Sequence, residues 1–440
     1  MRSAMSKQKD SEDLVRIGPG TVMGDMMRQY WLPAAMSSEL ARDGAPMRLL
    51  LLGERLIAFR DSSGRVGVMD HRCPHRCASL FLGRNEEDGI RCVYHGWKYD
   101  VAGNCVDMPN TPAHQDHKDK VRAKAYKVAE RNGLVWVYMG ERAKAPPLPG
   151  IEASLLPESD LQITFAQREC NWLQALEGDI DTSHFGFLHA GSVDPADLAP
   201  DNLIRWTVAN RAPEYHVTDT EWGTMYAAYR PAEKGQTYWR FANFLFPFWT
   251  QTPQGAFDRV NSRAWVPMDD GHTMFVSLTW KNLPASRAAL SNSRVLPGSK
   301  LTMDFQPNTT DWYGRWRLAG VEGNDWLIDR EAQKHGGIFT GIVGIQAQDQ
   351  AITESMGPIT DHSFENLGPS DIMIARTRRR LLRAARAFKK NAAVPPGIDN
   401  PDVYVNVRSG DFLADAKLAW RDAYAAQQRT ALRPLAQAAE

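Results

Sequence analysis

Apolar and polar residues alternate in short runs through the first third of the chain, from about residue 47 onward. Alternation with a period of two, interrupted by turn residues, is typical of antiparallel strands. The first runs, joined by Gly-Glu and Asp-Ser-Ser-Gly turns, read MRLLLL, RLIAFR and RVGVM. Later runs lie in GIRCVYHGWKYDVAGNCVDMP, VRAKAYKV and LVWVYMG. The pattern predicts a small antiparallel β domain over residues 30–143. A polar N-terminal segment (1–29) comes before it, and the polar start of the chain is followed by a short helical stretch.

A Pro-rich stretch, AKAPPLPG, predicts a semi-rigid linker over residues 144–157. In the remainder, residues 158–440, the sequence over 203–283 is aromatic and alternating, which indicates a larger sheet. Helical patterns cover residues 165–192, 371–390 and 411–438. The predicted fold class is therefore α+β: a small antiparallel β domain, followed by a larger domain whose antiparallel sheet is flanked by helices.

The composition narrows the possible partners and location. The 440 residues include 52 Lys+Arg and 52 Asp+Glu, so no overall field attracts nucleic acid or an anionic membrane. No apolar run approaches the roughly 18 residues of a membrane span, and the polar start does not resemble a signal peptide. The five cysteines are too few and too unevenly spaced for a disulfide framework, which favours the reducing cytoplasm.

Two cysteines and two histidines form the first candidate metal site. Cys73 and His75 are separated by sixteen residues from Cys92 and His95. Zinc accepts such a Cys₂His₂ set, and a zinc-stabilised scaffold remains an alternative that the colour of the protein would distinguish. However, each loop supplies one thiolate and one imidazole. This distribution suits two sulfide-bridged irons, one bound by both cysteines and the other by both histidines, as in a Rieske cluster.

The segment NWLQALEGDIDTSHFGFLH contains the second candidate site. Asp181 and His184 are three residues apart and share a helix face. His184 and His189 are five apart, about 140° around an ideal helix, so a common metal requires the helix to end or distort, which Gly186 permits. Two histidines and a carboxylate on one side of Fe(II) leave positions open for O₂ and substrate. The alternative is a structural histidine pair.

The boxes CPHR and CVYHGWKYD and the pattern N-W-…-E-…-D-x₂-H-x₄-H resemble those of Rieske non-haem iron aromatic-ring oxygenases. The resemblance covers most of the chain. With the tail motif ESMGPITDH…LGPSD, it is greatest to oxygenase (alpha) subunits of the phthalate 4,5-dioxygenase and dehydrodivanillate O-demethylase group. It implies a [2Fe–2S] cluster and a mononuclear Fe(II) in a catalytic domain. The implied cluster ligands are Cys73, His75, Cys92 and His95, and the implied iron ligands are His184, His189 and Asp349.

For the third iron ligand, Glu354 is the alternative to Asp349, which stands in a Gln-Asp pair that opens a predicted helix. The resemblance further implies that Asn171 lies beside the iron ligands. It implies that Asp181 bridges two subunits of a head-to-tail homotrimer, with hydrogen bonds to His184 and to His95 of the partner subunit.

The family's reaction implies O₂ as co-substrate and electrons from NAD(P)H, delivered by a flavin- or ferredoxin-type reductase. The substrate is expected to be a small aromatic acid that is hydroxylated or O-demethylated. A Rieske electron-transfer protein is the rival interpretation, although it requires only the first 110–120 residues or so and leaves the iron motif unexplained.

Three further features carry weaker expectations. Cys77 stands where glycine is commoner in the cluster box and is interpreted as a buried, inert thiol. Arg205 and Arg240 are candidate partners for a substrate carboxylate, next to aromatic residues over 206–249 that are expected to fill the sheet core. Residues 376–390 include eight Lys/Arg and are interpreted as a solvated helix, with a landing patch for an acidic redox partner as the alternative.

Overall fold

The computed structural model describes residues 2–282, 296, 298–300 and 302–431. The chain begins with helices α1 (Arg2–Val15) and α2 (Val22–Met27), which precede the first sheet. That sheet is antiparallel in the order β1-β10-β9-β4-β3-β2. Its strands are β1 (Trp31–Met36), β2 (Met47–Leu51), β3 (Glu54–Arg60), β4 (Val66–Asp70), β9 (Ala125–Arg131) and β10 (Leu134–Tyr138).

A second, four-stranded sheet forms the other half of this β domain and is antiparallel in the order β5-β6-β7-β8. Its strands are β5 (Arg84–Glu86), β6 (Gly89–Arg91), β7 (Lys98–Tyr99) and β8 (Cys105–Asp107). A small hydrophobic core joins this sheet to the larger one. The larger sheet contributes Ile57 and Phe59, and the four-stranded sheet contributes Ile90 and Tyr99. The loops that contain the Cys and His boxes are thereby fixed to two hydrogen-bonded sheets.

The runs predicted as strands from residue 47 onward are strands in the structure. Strand β1 was not predicted from the sequence. Its sequence, WLPAAM, is almost wholly buried and does not alternate, and the register shifts between Pro33 and Ala35. The strand exists because it pairs with β10, about a hundred residues later in the chain.

The second domain is built on a sheet in the order β11-β17-β16-β15-β14-β13-β12, with β18 paired to β14. Its strands are β11 (Leu161–Arg168), β12 (Glu214–Asp219), β13 (Gly223–Pro231), β14 (Gln236–Leu245), β15 (Trp249–Gln251), β16 (Asn261–Pro267), β17 (Thr273–Trp280) and β18 (Gly410–Asp415). The helices are α3 (Glu152–Leu155), α4 (Trp172–Asp179), α5 (Ile204–Ala209), α6 (Arg330–Lys334), α7 (Ile345–Ser355), α8 (Ile372–Asn391) and α9 (Trp420–Thr430). All its strand pairs are antiparallel, which confirms the predicted α+β class.

Two of the predicted helices are partly wrong. Residues 165–168 belong to strand β11, which pairs along its whole length with β17, for example Phe165 with Val276. Likewise residues 411–415 extend the sheet as β18 beside β14, and the helix begins only at Trp420. The rest of the segment predicted beyond Ala431 lies outside the described residues. In both cases a distant strand supplies the hydrogen bonds that decide the conformation.

The Arg-rich helix α8 packs against the second domain with Leu381 and Ala385 buried, as the interpretation of a partly solvated helix required. Four of its eight basic side chains form ion pairs within the chain: Arg376 with Asp219, Arg378 with Glu177 and Glu365, Arg386 with Asp10 and Asp13, and Lys389 with Asp25. Much of its positive charge is therefore already neutralised. In the described part of the chain, no helix is both long and apolar enough to cross a bilayer.

Candidate metal centres

The two Cys-His loops of the β domain have the same backbone hydrogen-bond pattern. In the first loop, Cys73 N donates to Ala78 O at 2.8 Å, and Cys77 N donates to Cys73 O at 2.9 Å. In the second loop, Cys92 N donates to Trp97 O at 2.8 Å, and Gly96 N donates to Cys92 O at 2.9 Å. The fifth residue of each turn has a left-handed backbone, with φ of +61° at Cys77 and +80° at Gly96.

This geometry explains the unusual Cys77. The position requires a positive φ, which glycine adopts without strain and other residues do not. The interpretation of Cys77 as a buried thiol is wrong, because the turn directs its side chain to solvent.

The loops place two buried thiols and two half-buried imidazoles next to one another. Cys73 and Cys92 are buried, and the rings of His75 and His95 are 4.4 Å apart between centroids. The Tyr99 hydroxyl lies 3.3 Å from Cys73 Sγ, within hydrogen-bonding distance. Burial raises the pKa of the Cys73 thiol, so its thiolate needs a metal cation to be stable. Both the donor set and its burial fit the iron–sulfur cluster that the sequence suggested.

The second candidate site begins at the end of α4. Residues Phe185–His189 form a single π-helical turn, in which Ala190 N donates to Phe185 O at 3.1 Å. A π turn closes its hydrogen bonds from i to i+5 and thus brings residues five apart to the same side. The rings of His184 and His189 are accordingly 5.1 Å apart, so the distortion expected between them is present.

Helix α7 brings Asp349 to these two histidines. Asp349 Oδ1 lies 3.1 Å from His189 Nε2 and 3.7 Å from His184 Nε2. One ligand atom from each of the three residues lies within 4.8 Å of the others. Two ligands bound at about 2.1 Å and at right angles are separated by about 3 Å, so these spacings suit a common metal ion. The alternative ligand, Glu354, instead accepts hydrogen bonds from Glu169 N and Trp326 Nε1.

Both imidazoles are oriented through their other nitrogen. His184 Nδ1 lies 3.2 Å from Asp181 Oδ2, and His189 Nδ1 lies 2.7 Å from Gln348 Oε1. Each Nδ1–H can donate to its partner, which leaves both Nε2 atoms free to bind a metal beside Asp349. Sequence reasoning assigned no role to Gln348, although it is half of the Gln-Asp pair that singled out Asp349.

The electrostatics of the site favour a charged carboxylate. Burial alone would raise the pKa of Asp349, but the neighbouring imidazoles of His189 and His184 lower it to about 2. Asp349 therefore offers an ionised oxygen ligand at neutral pH. Burial opposes protonation of His184, yet its hydrogen bond to Asp181 raises the pKa of the imidazole.

The structure does not bring Asn171 to this site, contrary to what the resemblance implied. Asn171 is the N-cap of α4: its Oδ1 accepts from Leu173 N, and its Nδ2 donates to the carbonyl oxygens of Val15 and Asp270. Among the described residues it makes no hydrogen bond to a proposed iron ligand. Its role is to fix the start of the helix that leads to Asp181.

The two candidate arginines have different positions. Arg205 is on helix α5 rather than on a strand, and it pairs with Glu233 at the surface. Arg240 is buried on β14, and its Nε donates to Thr182 Oγ1 at 2.8 Å, one residue from Asp181. Only Arg240 thus belongs to the interior of the catalytic domain.

Comparison with known proteins agrees with this geometry. Residues 30–127 match the model of the Rieske [2Fe-2S] domain, and residues 137–439 match that of the LigXa C-terminal domain like family. The chain is 53% identical to the 3-chlorobenzoate-3,4-dioxygenase oxygenase subunit of Comamonas testosteroni, over 96% of this chain and 98% of that one. It is 37% identical to the phthalate 4,5-dioxygenase oxygenase subunit of Pseudomonas putida, over 93% and 92% of the two chains.

A third relative, the 5,5'-dehydrodivanillate O-demethylase oxygenase subunit of a Sphingobium, is 31% identical over 86% of this chain and 80% of that one. Among solved structures, the terminal oxygenase of carbazole 1,9a-dioxygenase from Novosphingobium sp. KA1 has the same fold, with a TM-score of 0.51 and 19% identity over 88% and 99% of the two chains.

These matches extend through both candidate sites, so an electron-transfer protein or a zinc scaffold no longer accounts for the chain. The chain therefore belongs to the Rieske non-haem iron aromatic-ring oxygenases, as the oxygenase (alpha) subunit of a multicomponent system that carries a [2Fe–2S] cluster and a mononuclear iron and receives electrons through a partner reductase.

Proposed function

We propose that Cys73, His75, Cys92 and His95 bind the Rieske cluster and that His184, His189 and Asp349 bind the mononuclear iron. One observation carries the iron assignment: both Nε2 atoms converge on the Asp349 carboxylate, while both Nδ1 atoms are held by hydrogen bonds. A structural histidine pair would not need this common orientation.

The roles of the chain's own residues follow from these contacts. When bound, the iron would supply open coordination positions for O₂, and the cluster would supply electrons. Gln348 and Asp181 keep the imidazoles in the tautomer that presents Nε2 to the metal.

We infer that the substrate is a small aromatic carboxylate, which the enzyme hydroxylates or O-demethylates. The relatives named for 3-chlorobenzoate, phthalate and dehydrodivanillate support this class, because each of those compounds is an aromatic acid. Ring hydroxylation is the favoured outcome, since the relative with 53% identity is a dioxygenase subunit.

The experiment combines metal analysis with a substrate panel. Purified protein should be red-brown and should consume O₂ with 3-chlorobenzoate, phthalate or a methoxylated benzoate, and release of formaldehyde would identify O-demethylation. His184→Ala should keep the cluster colour and lose only the mononuclear iron and the turnover. A His184→Ala protein with full iron content and coupled O₂ consumption would contradict the ligand assignment.

We further propose a head-to-tail homotrimer supplied by a flavin- or ferredoxin-type reductase, with a cytoplasmic location. The side chain of Asp181 is still partly accessible while it contacts His184, as a bridge to His95 of the partner subunit requires. Apolar side chains are also exposed both at the tip of the cluster domain, as Val93 and Tyr94, and on α7, as Ile352. A solved carbazole dioxygenase oxygenase in complex with ferredoxin supports the class of electron donor for this fold.

Mixed trimers test the subunit crossing. His95→Ala and His184→Ala chains should each be inactive alone, since each lacks one metal centre. Co-expressed, they should recover part of the wild-type turnover, because some interfaces then pair an intact cluster with an intact iron. If mixed trimers have no activity although each chain has its remaining metal centre fully loaded, transfer between subunits is contradicted.

A further inference from the structure

One buried arginine on the same sheet as Arg240 lacks partners for most of its hydrogen-bond donors. Arg230, on strand β13, has no exposed surface. Its Nε donates to Asn210 O at 2.6 Å. Its Nη1 and Nη2 are also buried, and neither has a hydrogen-bond partner among the described residues. A buried guanidinium with two unused nitrogens is costly to the fold, so its retention points to a missing ligand.

The charges around Arg230 indicate that this ligand is an anion. The groups that act on it are the cation of Arg240 and the hydroxyl groups of Tyr238, Tyr215 and Tyr226. Burial, followed by repulsion from Arg240, lowers the pKa of Arg230 to about 10. No carboxylate of a described residue forms an ion pair with it.

Two other arginines of the chain's interior do have carboxylates. Arg408 forms an ion pair with Glu152 in the core, and Arg378 pairs with Glu177. Arg240 contacts the Tyr238 hydroxyl at 3.3 Å, which itself donates to Asp411 at 2.8 Å. Asp411 is thus linked to Arg240 through the Tyr238 hydroxyl, and it forms no ion pair with Arg230 in the described part of the chain.

The position of Arg230 relates it to the catalytic centre. In the β13–β14 pair, Arg230 lies opposite Tyr238, and Ala228 lies opposite Arg240. Because Arg230 and Ala228 are two residues apart on one strand, the two arginines lie on the same face of the sheet. The Arg240 guanidinium lies 5.0 Å from the centre of the Phe185 ring, at the start of the π turn.

Tyr215 connects the two regions. Its hydroxyl is buried and has no hydrogen-bond partner among the described residues. It is close enough to Arg230 and to Asp181 for both charges to influence its pKa, which burial raises. A ligand between Arg230 and the iron ligands would therefore meet an unused hydroxyl donor as well as the guanidinium.

We propose that Arg230 binds the carboxylate group of the aromatic substrate, with the Tyr215 hydroxyl as an additional donor. The planar Nη1–Nη2 edge matches the two oxygens of a carboxylate in a bidentate pair. This assignment rests on the proposed oxygenase function and makes the substrate an acid bound through its charge. It also corrects the sequence-based choice of Arg205 and Arg240, since neither presents a comparably unpaired buried edge.

The test measures ligand binding by thermal unfolding of the metal-loaded protein. The probes are 3-chlorobenzoate, the uncharged 3-chlorobenzamide, and acetate, which has the carboxylate without the ring. Wild-type protein should prefer 3-chlorobenzoate to 3-chlorobenzamide by about 30-fold or more in Kd, because a buried charge pair is formed only with the acid. Acetate should stabilise it least.

The informative variant is Arg230→Met, with Arg205→Gln as the control for loss of a surface arginine. Without ligand, Arg230→Met should unfold at the same temperature as wild type or higher, since an unpaired buried charge has been removed. It should lose the preference for the acid, whereas Arg205→Gln should keep it. Arg230→Lys retains the charge without the bidentate edge and should show an intermediate preference.

Equal preference for the acid in wild type and Arg230→Met would overturn the proposal. The same holds if ligand-free Arg230→Met fails to fold or unfolds at a clearly lower temperature, because the guanidinium would then be structural. A wild-type protein that binds acid and amide equally would overturn it without any variant. These results need no turnover, so they are distinguishable from failure of the proposed function, which would appear as absent O₂ consumption with every aromatic acid.

Discussion

Replacing Gln348 by leucine should weaken binding of the mononuclear iron while the protein stays folded. Gln348 is buried on α7, where its Oε1 lies 2.7 Å from His189 Nδ1 and its Nε2 donates to Ile342 O at 2.8 Å. Leucine has a similar size but can form neither bond. The His189 ring would then lose the contact that fixes its tautomer and aims Nε2 at the metal.

The magnitude follows from these two contacts. Loss of a hydrogen-bonded partner behind a metal-binding histidine typically costs about 10- to 100-fold in metal affinity, or about 1.4–2.8 kcal/mol. In addition, the His189 N–H would be buried without a partner, and the Ile342 carbonyl would keep only the bond from Thr340 Oγ1 at 3.4 Å. An unsatisfied buried group costs about 1–3 kcal/mol of folding free energy. The variant should therefore be less stable and bind iron more weakly, with an intact cluster in the other domain.

The same helix offers a matched control, Gln350→Leu. Gln350 is equally buried and also makes two hydrogen bonds, from its Nε2 to Gly320 O and to Glu354 Oε1. Neither bond reaches a proposed iron ligand. The control should lose a similar amount of stability but should keep its iron affinity.

Anaerobic titration with Fe(II), after selective removal of the mononuclear iron, gives the affinity of each variant. The visible absorption of the cluster reports on the other centre, and thermal unfolding reports on stability. If Gln348→Leu binds iron as tightly as wild type, or if Gln350→Leu weakens it equally, the orienting role of Gln348 is refuted.

Three other predictions concern the path of the electrons and the cluster loops. Asp181→Asn should retain both metal centres but stop turnover, because a bridging charge is lost; O₂ consumption at the wild-type rate would rule out the bridge. Cys77→Gly should stabilise the protein by about 0.5–1 kcal/mol through relief of its left-handed backbone, and Gly96→Ala at the matching position should destabilise it. Thermal unfolding compares them, and shifts of the same sign would argue against equivalent loops. Tyr99→Phe should lower the reduction potential of the cluster by about 40–60 mV, the equivalent of one hydrogen bond of about 1 kcal/mol to Cys73; an unchanged potential in voltammetry would exclude that bond.

Much of the cluster domain was predictable because its information is local. The strands from β2 to β4 are short, mostly apolar runs, and their turns contain the expected Gly and Asp residues. The four proposed cluster ligands occupy two short loops, so their spacing alone identifies the set. The same spacing could not reveal that Cys77 is exposed, which depends on the backbone conformation that its turn imposes.

The conformation of several segments depended on partners far away in the chain. Residues 165–168 were predicted as helix, but they pair instead with the backbone of β17, more than a hundred residues later in the chain. Strand β18 depends on β14 in the same way. The local periodicity of a sequence does not depend on such distant pairing. The helix predictions were therefore wrong at these two strands.

The sequence by itself determined the order of the two domains and the family and predicted the kinds of metal ligand, because these reside in residue types at fixed short spacings. Only the tertiary structure decided that Asp349 rather than Glu354 faces the histidines, that Gln348 orients one of them, and that Asn171 does not approach them. It also decided that Arg230 is buried with Nη1 and Nη2 unpartnered among the residues that the structure describes. The physical reason is that contacts between segments more than a hundred residues apart are set by how the sheet and helices pack, and not by the order of residues within any one of them.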